Sequence, residues 1–103
     1  HWQRVAFIPR FPDNRDQLAH IFRRAEGHYA VDAESGRRSI VDTIQQRYFA
    51  GTDVNGNEVY LRTNQDGSQN WVYLRNGVIQ NGGINVNSRV VFDNATRRVI
   101  ELW

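Results

Sequence analysis

Asn76-Gly77 stands between two runs of alternating residues. A two-residue loop of this kind is a strong hairpin signal, because a type I′ turn needs positive φ at both central positions. It predicts antiparallel strands over 69–75 and 78–85. Alternation then divides the first strand between two faces. Val72 and Leu74 point one way, and Gln69, Trp71, Tyr73 and Arg75 the other. The run 57–63 divides similarly, with Val59 and Leu61 on one face and Tyr60 and Arg62 on the opposite one. The expectation is an aliphatic face of Val59, Leu61, Val72 and Leu74 under a helix layer. The opposite face, rich in aromatics, arginines and amides, is then left for function.

The first half of the chain supplies the helices. Pro12-Asp13-Asn14 is a start signal, capped by Asn14 with Gln17 or by Asp13 with Asp16. Leu18, Ile21, Phe22 and Ala25 follow at helical spacing, and Gly27 is a stop, so the spacing predicts a helix over 14–26. His20, Arg23 and Arg24 lie off that stripe and read as a solvated face. Ser35 reads as the N-cap of a second helix over 36–48, with Ile40, Val41, Ile44 and Tyr48 inward. Arg37 and Arg38 sit in its first turn, where the helix dipole disfavours cations. Either an anion binds there, or Asp32 and Glu34 just upstream pair with them.

Residues 5–8, ended by Pro9 and Pro12, read as a short strand or an extended anchor. From Gly51 the period changes from 3.6 to 2. Turns are expected at Asp53 to Asn57, at Asp66-Gly67 and at Asp93 to Thr96, with further strands at 88–93 and 97–102. The fold class is therefore α+β, with two N-terminal helices packed on one face of a four- to five-stranded antiparallel sheet. Residues 1–103 make a single domain on this reading.

All 13 basic residues are Arg, Lys and Cys are absent, and the formal net charge is +2. Schiff-base chemistry, a P-loop and a disulfide framework are thereby excluded. The guanidinium fork suits phosphate, although codon bias in a GC-rich genome replaces Lys in the same way. No apolar run approaches the roughly 20 residues that span a bilayer. The chain opens at His1-Trp2 without Met and reads as a segment of something longer.

No metal or cofactor is expected. The histidines lie at 1, 20 and 28 without an HExxH pattern. Asp53, Asn55 and Asn57 alternate like a calcium loop but lack the downstream bidentate Glu. No Ser stands in a G-x-S-x-G elbow. RNA cleavage fits these limits, because RNA carries its own nucleophile, the 2′-OH. The protein must then supply a base, an acid and positive charge. Histidine suits the first two, arginine the third, and aromatics can stack flanking bases. His28, Arg37 and Arg75 are the candidate catalytic residues, and Tyr60, Arg62, Trp71 and Tyr73 the candidate RNA-holding ones. Each also has a plainer reading: His28 as a helix cap, Trp71 as core.

The order Glu26-Gly27-His28, Gly51-Thr52-Asp53-Val54-Asn55-Gly56-Asn57, Asp66-Gly67-Ser68-Gln69-Asn70-Trp71-Val72, Arg75-Asn76-Gly77 and Asn81-Gly82-Gly83-Ile84-Asn85 resembles a family of toxin domains. These are the C-terminal tips of contact-dependent growth inhibition proteins and other polymorphic toxins of bacteria. The resemblance spans about residues 20–86. It implies a metal-independent ribonuclease of the barnase–EndoU–colicin–RelE type, several of which cut tRNA. It adds Gln69, Asn81 and Asn85 to the RNA-binding set. It implies a cognate immunity protein, delivery from the surface of the producing bacterium and action in the target cell's cytoplasm, and it leaves room for a host factor. One departure is Asp32-Ala33-Glu34, where many relatives carry Asp-Thr-Pro. Two other readings use the same face: a non-catalytic RNA-binding module, and a protein-interaction domain.

Overall fold

A computed structural model describes residues 8–102. The strand or anchor read over 5–8 lies, except for Ile8, outside the described residues. The chain is α+β with the helices first. These are α1 (Arg15–Ile21) and α2 (Glu34–Gln45). The strands are β1 (Phe49–Thr52), β2 (Glu58–Thr63), β3 (Gln69–Arg75), β4 (Val78–Asn85), β5 (Val90–Asp93) and β6 (Arg98–Glu101). β1 to β4 form an antiparallel meander in chain order, and β5 and β6 form a separate two-stranded ribbon. Among the described residues no helix is long and apolar enough to cross a membrane.

Asn76 and Gly77 take φ of 52° and 77°, the positive pair that the hairpin turn requires. β3 and β4 then pair from Arg75↔Val78 to Gln69↔Asn85. The register shifts once, between Tyr73↔Asn81 and Leu74↔Ile79. Gln80 is the extra residue of this bulge, so Asn81, Gly83 and Asn85 share the Trp71 face. β1, between the expected second helix and the turn at Asp53 to Asn57, adds an edge strand beyond β2 that local periodicity does not announce.

The helices cover one face. Ile21, Phe22, Ile40, Ile44, Val72, Leu74 and Ile79 form its core. α2 lies close, with the Ile40 side chain over Gly82. The ribbon covers the other face, where Val59, Trp71, Val90 and Val99 form a second core. Leu74→Ala should cost about 2–5 kcal/mol, the range for truncating a buried Leu. The urea midpoint should fall with the slope m unchanged.

This second layer corrects the face assignment of β2. Val59 pairs with Tyr73 and Leu61 with Trp71, so both face the ribbon. Tyr60 pairs with Val72 and packs against the helix-side core. A one-residue offset turned every side chain of that strand over. β3 itself was oriented as expected, with Val72 and Leu74 under the helices.

Both helix boundaries also move. Asn14 caps α1, its Oδ1 accepting from the backbone N–H groups of Asp16 and Gln17 at 2.7 and 3.3 Å. α1 ends at Ile21, not near Gly27. The Ile21 carbonyl is taken by the His28 ring, with Nδ1 at 2.9 Å, and the backbone N–H of Arg23 donates to the Tyr29 carbonyl. These contacts fold the chain back before another turn can form. The N-cap of α2 is Ala33, with no side-chain bond, rather than Ser35. Tyr48 lies past the helix end and is exposed.

Candidate active site

Gly27 sets the site. Its φ of +84° is strained for any residue with a Cβ. Its carbonyl oxygen accepts two bonds at 3.0 Å, from the backbone N–H of Ile84 and from the Trp71 indole N–H. The loop after α1 is thereby laid across β4 where Gly83 has no side chain. A Cβ on Gly83 would fall on the Gly27 carbonyl.

His28 follows, half-buried and edge-on to Trp71, with ring centroids 5.4 Å apart at 87°. Its Nδ1 lies 2.9 Å from the Ile21 carbonyl. A carbonyl oxygen only accepts, so Nδ1 carries the proton and Nε2 presents its lone pair. That lone pair accepts from a guanidinium N–H of Arg23 at 3.2 Å. Burial lowers the His28 pKa below its ordinary value; the Ile21 carbonyl opposes this and Arg23 adds to it. Near neutral pH the neutral form of the ring is therefore favoured, with Nε2 held against Arg23.

The ring faces a cleft of about 300 Å³ lined by Arg23, Glu26, Trp71, Asn81, Asn85, Arg89 and Glu101, among others. Arg89 pairs with Glu26 at 3.1 Å on its rim. A second cleft of about 440 Å³ holds His20, Tyr73, Arg75, Gln80 and Asn81 with Asp16 and Asp53. Asn81 lines both clefts. Its Oδ1 accepts from the Gly82 N–H at 3.1 Å and its Nδ2 meets His20 Nε2 at 3.4 Å. The Tyr73 hydroxyl donates to Glu101 at 3.0 Å. Burial, then the Glu101 charge, pushes the Tyr73 phenol well up, so it stays a donor.

The residues read from the sequence thus separate into groups. His28, Trp71, Asn81 and Asn85 meet in the first cleft, and Arg75, Tyr73 and Asn81 in the second. Trp71 is 5% exposed and buttresses His28, so it offers no face to a base. Gln69 is a clasp. Its Oε1 accepts from Asn85 and from the backbone N–H groups of Arg89 and Val90, and its Nε2 donates to the Val90 carbonyl. It ties β3 to the ribbon.

Arg37, Tyr60 and Arg62 are placed elsewhere. Arg37 forks onto Asp32 through two bonds of 2.6 Å and lies over the Phe11 ring at 4.6 Å. The upstream carboxylates, not an exogenous anion, answer the two arginines, and Arg38 likewise pairs with Glu34. The Tyr60 hydroxyl donates to Glu58, and burial pushes its phenol up to about 12. Arg62 donates to Asn70 and Gln46. If the His28 cleft is catalytic, Arg37→Ala should leave its turnover at the parental rate. It should cost stability by about 1 kcal/mol, the scale of a surface pair with a cation–π contact. Thermal unfolding and single-turnover cleavage check the two halves separately.

His20, Arg23 and Glu101 were not among the residues singled out. The signal for the first two was present as the off-stripe positions of α1, but a solvated face gives the same pattern. Glu101 is brought in by the ribbon alone. Among the described residues, no group of three or more His, Cys, Asp or Glu side chains is placed to hold a metal ion. No family model, curated protein or solved structure matches the chain.

Proposed function

We propose that the chain is a metal-independent endoribonuclease that cuts RNA by 2′-OH transesterification. One observation carries the reading. His28 lines a cleft, its tautomer is set by the Ile21 carbonyl, and its Nε2 lies beside the Arg23 guanidinium. An oriented base next to a cation is what attack of a 2′-OH on its own phosphate requires. His28 Nε2 takes the 2′-OH proton. Arg23, rather than Arg37, offsets charge on the phosphorane. Arg75 in the second cleft holds a neighbouring phosphate.

The wider setting rests on the resemblance to polymorphic toxin domains. On that reading the substrate is tRNA, and the domain is delivered from the producing bacterium into the cytoplasm of a competitor. A small immunity protein, acidic where it meets Arg23, Arg75 and Arg89, covers the His28 cleft. Steering of such a partner makes its association rate fall as salt rises.

Total RNA incubated with the domain in EDTA tests the activity. Cleavage supports the proposal. Intact RNA with a gel shift at low salt supports a binding module instead, and intact RNA without a shift supports a protein-interaction domain.

A further inference from the structure

We propose that His20 is the general acid of the reaction. This rests on the nuclease reading above. The RNA then crosses two clefts, with its scissile phosphate at Asn81. Transesterification needs two proton transfers, and His28 performs one. His20 is a second imidazole, from the last turn of α1, at the next cleft along. Asn81 joins them. It lines the His28 cleft, and its Nδ2 lies 3.4 Å from His20 Nε2. The Gly82 N–H fixes which way the Asn81 amide points, by donating to Oδ1 at 3.1 Å. The 3.4 Å contact is long for a hydrogen bond. It places the His20 ring at Asn81 with Nε2 as the acceptor, because an amide nitrogen only donates, and it leaves Nδ1 to carry the transferable proton.

The placement also orders the substrate. The nucleotide that supplies the 2′-OH lies in the His28 cleft. The nucleotide that leaves lies in the second cleft, where Arg75 meets its next phosphate. In the step, the 2′-OH proton passes to His28 Nε2 and the 2′-O–P bond forms. The P–O5′ bond breaks, and the leaving oxygen takes a proton from His20. The products are a 2′,3′-cyclic phosphate and a 5′-OH.

A bridging-sulfur substrate separates the acid from a merely structural role. A thiol has a pKa near ~8.5, whereas a leaving alkoxide is closer to water's ~15.7. A thiolate therefore departs without a proton donor. The experiment compares a short RNA with a natural 5′-oxygen at the cut with the same RNA carrying 5′-sulfur. Parent, His20→Ala, His20→Gln and His28→Ala are assayed on both. His20 is exposed, so its loss leaves the core intact, and His20→Gln keeps a polar side chain beside Asn81. Both His20 variants should lose about 10²–10⁴-fold on the oxygen substrate and recover to within a few-fold of the parent on sulfur. His28→Ala should remain slow on both. Equal losses of the His20 variants on both substrates, or parental rates on oxygen, would overturn the assignment. A parent protein that cuts neither substrate would overturn the nuclease reading itself.

Discussion

His28→Ala is expected to lower RNA cleavage by about 10²–10⁴-fold, the usual worth of a positioned acid–base group, while the protein stays folded. The ring lies at the edge of the second core, and what it holds is the end of α1 through the Ile21 carbonyl. Losing that bond costs about 1 kcal/mol, too little to unfold a domain with two hydrophobic cores of which His28 is not a buried member. The pH profile should carry the same signature. Burial lowers the His28 pKa below 6.5, so the rate should rise with pH through a limb on the acid side of an ordinary histidine. Stability follows the same group with a definite sign. The unfolded chain binds this proton first. Stability therefore falls as pH drops through 6.5 and levels off once the native ring is also protonated. A folded His28→Ala protein that cuts at the parental rate would remove His28 from the chemistry.

Gly83→Ala is expected to cost about 10²-fold without touching a catalytic side chain. The added methyl would fall on the Gly27 carbonyl. The Gly27–His28 segment must then lift from β4. The bonds from Ile84 and Trp71 to that carbonyl, each 3.0 Å, stretch or break. Misplacing a reacting group by about 1 Å can itself cost ~10²-fold. Two weakened hydrogen bonds add about 1–3 kcal/mol of destabilisation at ~0.5–1.5 each. The measurement is the cleavage rate of the folded fraction together with its unfolding midpoint. Lost stability at the parental rate would show that His28 does not depend on its seat over Gly83.

The contrast between β3 and β2 shows how far the sequence can be read. In β3 the aliphatic positions Val72 and Leu74 do face the helices. In β2 the aliphatic positions Val59 and Leu61 face the ribbon, because that layer is apolar too. Alternation identifies the two faces of a strand but not which layer covers each. The ribbon was read as two more strands, and nothing local said that it would fold over Trp71. Gln69 became a clasp for the same reason. Its partners Arg89 and Val90 lie about twenty residues on, beyond any local pattern.

The site was legible in part. Gly27 was read as a helix stop and His28 as a candidate base, and Asn81, Asn85 and Trp71 line one cleft with His28. Arg37 was misplaced because an arginine at a helix start has two physical answers, an exogenous anion or a nearby carboxylate. The Asp32 fork is the second. The same fork holds the Asp32 carboxyl below its usual range. His20 and Arg23 escaped because lining a cleft and facing solvent leave the same mark on a helical wheel.

The central claim is transesterification at the His28 cleft, and the 3′ terminus of the cut RNA tests it most directly. A tRNA transcript cleaved by the domain in EDTA should end in a 2′,3′-cyclic phosphate, with a 5′-OH on the downstream fragment. A 3′-OH with a 5′-phosphate would mean that water, not the 2′-OH, attacked the phosphorus, and would contradict the account.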